Sequence, residues 1–175
     1  MPLHPHRNRS PRLGARVWLA PSAVVTGDVE LGDDVSFWFH TVARGDVHWI
    51  RIGARTNIQD GAVLHVSDGT HPLDIGADVV VGHQACVHGC TLGDACLIGI
   101  GARVLDGAVV ESGAQVGAGA VVAPGTVVPS GHLALGVPAK VRRPLTDDER
   151  ANILAIAGRY ARLKEDYRRE LGSGV

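Results

Sequence analysis

Four of the chain's nine histidines, His65, His71, His83 and His88, fall in one stretch, VLHVSDGTHPLDIGADVVVGHQACVHGC. Imidazole is the commonest metal ligand and the side chain suited to moving protons near neutral pH. Three neutral imidazoles at about 2.0–2.1 Å, with a fourth position open, make a catalytic zinc site. Whether these residues can do that chemistry depends on the elements that carry them.

Those elements follow from a repeat. Ile98, Val104, Val110, Val116, Val122 and Val128 are spaced by six, as are Leu19, Val25 and Leu31, then Ile52, Ile58 and Leu64, then Ile75, Val81 and Val87. A six-residue period fits neither a helix nor an alternating strand. It describes a short straight stretch and a turn, three of which close a triangular coil of about 18 residues. The fold class is therefore an all-β solenoid, a hexapeptide β-helix whose apolar positions point inward and stack from coil to coil. A narrow interior explains why aromatics are only 4% of the chain and why glycine, at 23 of 175 residues, is abundant at the corners.

The repeat divides the chain into an N-terminal extension (1–13), the hexapeptide-repeat β-helix (14–140), and a linker with a C-terminal amphipathic helix (141–175). Thr146 and Glu149 form a capping box that opens this helix. Ile153, Ile156, Tyr160, Leu163 and Tyr167 give it one apolar face.

The register also sorts the histidines. Leu64 and Val87 each close a hexad triplet, so His65 and His88, which follow them, sit on one edge of the prism one coil apart. They are 88 − 65 = 23 residues apart, so about five residues beyond one coil bulge out in VSDGTHPLD. Two imidazoles one strand spacing apart can share a cation. His83 lies around a different face, and a neighbouring copy is the natural source of the third ligand. Three prisms side by side then make three sites, one per interface.

Charge is nearly balanced at −1, which gives no case for nucleic acid or an acidic membrane surface. Three cysteines without a CxxC pair fit a reducing compartment and small buried side chains. MPLHPHRNRSPRLG has no apolar core of a signal peptide, and no apolar run is long enough to span a bilayer. The expectation is a soluble cytoplasmic protein that binds neither membrane nor nucleic acid.

The chain resembles the gamma-class carbonic anhydrases, trimeric left-handed β-helices. The matching motifs are ARGDV (43–47), TNIQDG (56–61), VLH (63–65), VGHQACVHGC (81–90), LIGIGARVLDGA (97–108) and GVPAK (136–140). The resemblance implies a left-handed parallel β-helix and a homotrimer that hydrates CO2 reversibly to bicarbonate. It implies Zn2+, with Fe2+ or Co2+ as alternatives, bound by His65 and His88 of one subunit and His83 of the next. Gln59 is implied as the partner of water at the metal, with Asn57 orienting it and Tyr160 brought near by the helix. Arg44, with Asp46 and Asp60 as carboxylate partners, is implied at the trimer interface. The chain departs from the most active archetype in two places. Val47 replaces a glutamate, and the loop after His65 is short, carrying only Asp68, Asp74 and His71. His71 and Asp68 are the candidates for carrying the proton away, and the hydratase is expected to be weak if they do so poorly. Three other readings of the scaffold stay open: a hexapeptide acyltransferase, a metal-dependent thioesterase, and a non-catalytic metal-binding or assembly subunit.

Overall fold

A computed structural model describes residues 2–172. It is a left-handed parallel β-solenoid of about 7 turns with one C-terminal helix. The fifteen hexad positions named above are all inward, none more than 4% exposed. Each stacks on its equivalent in the next coil: Ile58 pairs with Val81 and Val81 with Ile98, while Leu64 pairs with Val87 and Val87 with Val104. Small β-branched residues suit this narrow interior because their restricted rotamers pack against a pleated wall at little entropic cost.

The prism has three faces. One carries Val63–His65 and Cys86–His88, and the next carries Leu73–Ile75 and Thr91–Leu92. The long strand Val42–Ile52 turns the corner between them, pairing with Val63–His65 at its start and Leu73–Ile75 at its end. The third face, a separate sheet, carries Asn57–Ile58 and Val80–Val81.

Added strands lie at both ends of the coil. Among the described N-terminal residues, Leu3–His4 and Arg12–Leu13 both pair in parallel with Val24–Leu31. At the other end the boundary at residue 140 falls inside a hairpin, because His132–Gly136 pairs antiparallel with Ala139–Pro144. The helix spans Asp147–Leu171, and Thr146 and Glu149 form the capping box that the sequence anticipates. No described helix is long and apolar enough to cross a membrane.

The helix docks on the third face through aromatic side chains. Trp18, Trp38, Phe39, Tyr160 and Tyr167 form one cluster, with Trp38 edge-on to Tyr160 at 5.1 Å and to Tyr167 at 5.2 Å. The few aromatics thus serve mainly to attach the helix, beside a core too narrow for many of them. The docked face also holds a charge that helical periodicity misses. Lys164 is only 1% exposed, and its Nζ donates to Arg16 O at 3.0 Å and Asp34 Oδ1 at 3.2 Å, and pairs with Glu165. Arg16 first, and then Lys164, hold the Asp34 carboxyl below its ordinary range against burial, which acts to raise it.

Lys164→Met is therefore expected to lower unfolding free energy in urea by about 1–3 kcal/mol, the range for lost hydrogen bonds to charged groups. Asp34 has a folded pKa below its unfolded one, so its stabilisation is present above an aspartate's ordinary value of about 3.9 and fades as pH falls through the folded value. The deficit of the variant should be full at neutral pH and shrink in acid.

Candidate metal centre

The corner between the first two faces stacks one polar residue per coil. Asp46, His65, His88 and Asp106 form a column along it, on four successive coils. Asp46 Oδ1 lies 3.1 Å from His65 Nε2, His65 Nδ1 lies 3.0 Å from His88 Nε2, and His88 Nδ1 hydrogen-bonds Asp106 Oδ1. Cα pairing of His65 with His88 sets the central step, as the sequence register requires. The rings meet edge-on with centroids 5.0 Å apart.

The column's ends are pinned. Arg44 Nη1 pairs with Asp46 Oδ2, and Ser67 Oγ donates to Asp106 Oδ2 at 2.6 Å. Burial acts to raise the Asp46 carboxyl, but hydrogen bonds from Arg44 and His65 outweigh it and hold it low. Asp106 is likewise held low, because Ser67, His88 and the nearby His71 outweigh its burial. Burial is also the main reason that the His65 imidazole sits below its ordinary range, with the Asp46 hydrogen bond opposing it.

These contacts decide what the centre can hold. With both outer carboxylates ionised, the outer nitrogen of each ring carries the proton, so His65 Nδ1 and His88 Nε2 present lone pairs to each other. Two acceptors at 3.0 Å repel unless a cation lies between them. A shared proton can fill that place, and so can a metal ion. Nitrogens bound to one tetrahedral zinc at about 2.0–2.1 Å are about 3.3 Å apart, so slight ring movement admits the ion. Carboxylate support of the remote nitrogen is also the usual environment of a metal-binding histidine. The residues present fit a divalent transition metal.

His83 is elsewhere, as its register requires. Among the described residues no three His, Cys, Asp or Glu side chains of one chain converge on a metal position. His83 lies at the corner after Val80–Val81, where its Nδ1 contacts Asp60 Oδ2 at 2.9 Å and its Nε2 is left free of that contact. Gln59, His83 and Tyr160 line a common cavity of about 370 Å³, with Leu97, Ile100 and Arg159 among its walls. Gln59 Nε2 donates to Asn57 Oδ1 at 3.1 Å, and both side chains are buried. Burial pushes the Tyr160 phenol up. One chain thus carries the His65–His88 column and the His83 cavity on different corners.

Within one chain the two carboxylates expected to serve Arg44 lie on different sheets. Arg44 and Asp46 flank Gly45 on one strand, so they reach each other within the chain, and Asp46 also takes His65. Asp60 follows a strand of the other sheet and contacts His83 of the same chain. Of the loop residues, His71 contacts Thr70 Oγ1 at 3.1 Å and stands beside Asp106, whereas Asp68 lines a recess with Asp46, Val47 and His6. A larger cavity of about 570 Å³, along Gly14, Gly32 and Gly53, involves none of these histidines.

Sequence reading missed Asp106 and Ser67. Asp106 lies 106 − 88 = 18 residues beyond His88, one nominal coil, and that spacing could have marked it.

No protein-family model matches the chain. Protein YrdA of Escherichia coli is 51% identical over 172 residues, spanning 94% of this chain and 93% of that protein. Carbonic anhydrase of Geobacillus kaustophilus is 43% identical over 95% of this chain and 91% of its own length. Gamma carbonic anhydrase 1, mitochondrial, of Arabidopsis thaliana is 43% identical over 93% of this chain, which spans 61% of that protein. The solved structure of a hexapeptide transferase family protein from Anaplasma phagocytophilum matches with a TM-score of 0.89 at 38% identity, over 94% of this chain and 97% of that one.

The column makes a direct spectroscopic prediction. In the metal-free protein at neutral pH, ring nitrogen-15 NMR should find a proton on His65 Nε2, the nitrogen that faces Asp46. Finding Nε2 without a proton would contradict the contact with Asp46.

Proposed function

The chain belongs to the gamma-class carbonic anhydrase family of hexapeptide-repeat proteins, and from that premise we propose that it works as a homotrimer catalysing reversible hydration of CO2 to bicarbonate. The metal in this proposal is zinc, with Fe2+ or Co2+ as alternatives. His65 and His88 of one subunit and His83 of its neighbour hold it. The observation that carries the reading is the Asp46–His65–His88–Asp106 column, whose central link calls for a cation.

Bound zinc supplies Lewis acidity that lets water ionise near pH 7 instead of its bulk value of about 15.7. The protein's own groups do the remaining work. Asp46 and Asp106 orient the two rings and strengthen them as donors. Asp60 turns the His83 ring so that its free nitrogen can serve the neighbouring half-site. Gln59 spends its amide N–H on Asn57, which leaves Oε1 as the acceptor that orients water toward the carbon of CO2. The apolar side chains of Leu97 and Ile100 suit uncharged CO2 better than charged bicarbonate, which favours product departure. Hydration releases one proton per bicarbonate, and in this proposal His71 and Asp68 on the short loop pass it to solvent.

The transferase neighbour raises acyl transfer as a second reading. That chemistry needs an imidazole free to act as a base: His65 and His88 spend both ring nitrogens within the column, which leaves His83, held at Nδ1 by Asp60, as the candidate base on that reading.

Stopped-flow CO2 hydration on trimer with measured zinc or iron(II) content tests the proposal. Turnover above buffer background is expected, falling at least about 100-fold in His83→Ala, as loss of a ligand to a catalytic metal implies. Background rates in both metal-loaded forms would remove the hydratase reading, and turnover of a coenzyme A thioester instead would favour the second. His71→Ala should lower kcat more than kcat/KM, and buffer imidazole should restore part of it.

A further inference from the structure

We infer that the insertion after His65 is a positioning clamp for His88: Ser67 holds the carboxylate of Asp106, which holds His88, and so Ser67 sets metal affinity without touching the metal. The inference rests on the metal-site reading above. It assigns the insertion a role apart from carrying protons.

The insertion is closed by its own backbone. Ser67 N donates to His71 O at 3.0 Å, and Thr70 N and His71 N both approach Ser67 O at 3.4 Å. Gly69 takes the left-handed conformation, φ 61°, that so tight a turn demands. Ser67 is thereby held where its hydroxyl meets Asp106 Oδ2 at 2.6 Å, while Oδ1 of the same carboxylate takes His88 Nδ1. Each oxygen has one donor, so the carboxylate plane is fixed and the ring of His88 with it.

The next coil is built to permit this reach. Val87 pairs with Val104, a coil of 104 − 87 = 17 residues, so Asp106 sits one place beyond the residue stacked on His88. Its side chain must lean back over residue 89. Gly89 leaves the room, since a Cβ there would stand 2.6 Å from Asp106 Oδ1 and 2.8 Å from His71 Cβ. His71 also lies over Gly107, where a Cβ would come within 3.3 Å of His71 Nε2. Insertion, carboxylate and the two glycines fit together as one unit behind His88. Removing the Ser67 hydroxyl leaves Asp106 with one donor and freedom to rotate, and losses of such supporting partners typically weaken metal binding about 10–100-fold.

The test measures Zn2+ affinity by competition with a chromogenic chelator, and the visible spectrum of the Co2+ form, for wild type, Ser67→Ala and Ser67→Thr. Ser67→Ala should bind Zn2+ at least about tenfold more weakly and shift the Co2+ bands. Ser67→Thr, which keeps the hydroxyl, should stay within about twofold of wild type. The metal-free protein should stay folded in both, with a melting midpoint lowered in Ser67→Ala by no more than the loss of one hydrogen bond to a charged group implies. Wild-type affinity and spectrum in Ser67→Ala would overturn the clamp and leave the metal site standing. So would a Ser67→Thr loss as large as that of alanine. Wild type that binds no divalent metal would overturn the metal-site reading, and the clamp with it.

Discussion

The contact between His65 Nδ1 and His88 Nε2 is the constraint on which the centre depends. Each ring commits its other nitrogen to a carboxylate, so the two facing nitrogens cannot satisfy each other as neutral groups. The column needs positive charge at its middle. The same requirement explains why the ends are tied down, because a carboxylate free to rotate would release its imidazole from the geometry that makes the cation site.

The solenoid makes this column possible. Coils stacked at about 4.8 Å place equivalent side chains one above another, a spacing that two imidazoles can share around one ion. A parallel coil keeps one corner for one kind of residue over several turns, so four successive turns yield acid, histidine, histidine and acid. The same regularity puts His83, Asn57 and Gln59 on a different corner. In the proposed site the two corners complete each other between copies, and a closed ring such as a trimer uses both corners of every copy.

Much of this was legible in the sequence. The hexads gave away the coil, its inward residues and the shared register of His65 and His88. Thr146 and Glu149 located the start of the helix, because capping is a local matter of a few residues. The illegible parts depend on contacts between distant segments. Asp106 keeps the nominal 18-residue spacing from His88, but the observed coil there is 17 residues, so only the folded register shows that its side chain reaches His88 from one place further on. Ser67 looks like loop polarity until the loop folds back on the next coil. Lys164 falls on an apolar helix face, where periodicity expects no charge, and only Asp34 and a carbonyl on the prism account for it. The strands near the N-terminus are two residues each, too short to signal themselves apart from the strand they pair with. Arg44, Asp46 and Asp60 were recognisable as a group, whereas the contacts of Asp46 with His65 and of Asp60 with His83 within the chain were not.

The central claim is that a complete site draws His65 and His88 from one copy and His83 from another. Mixing subunits tests it most directly. His65→Ala and His83→Ala homotrimers should each lack a complete site and be inactive. Unfolded together and refolded as a mixture, they should form hybrid trimers in which one interface joins an intact His65–His88 pair to an intact His83. Random assembly then predicts recovery of about a quarter of wild-type metal content and CO2 hydration. A refolded mixture that forms hybrid trimers yet stays as inactive as its parents would contradict the account, as would a His83→Ala homotrimer that keeps full metal occupancy.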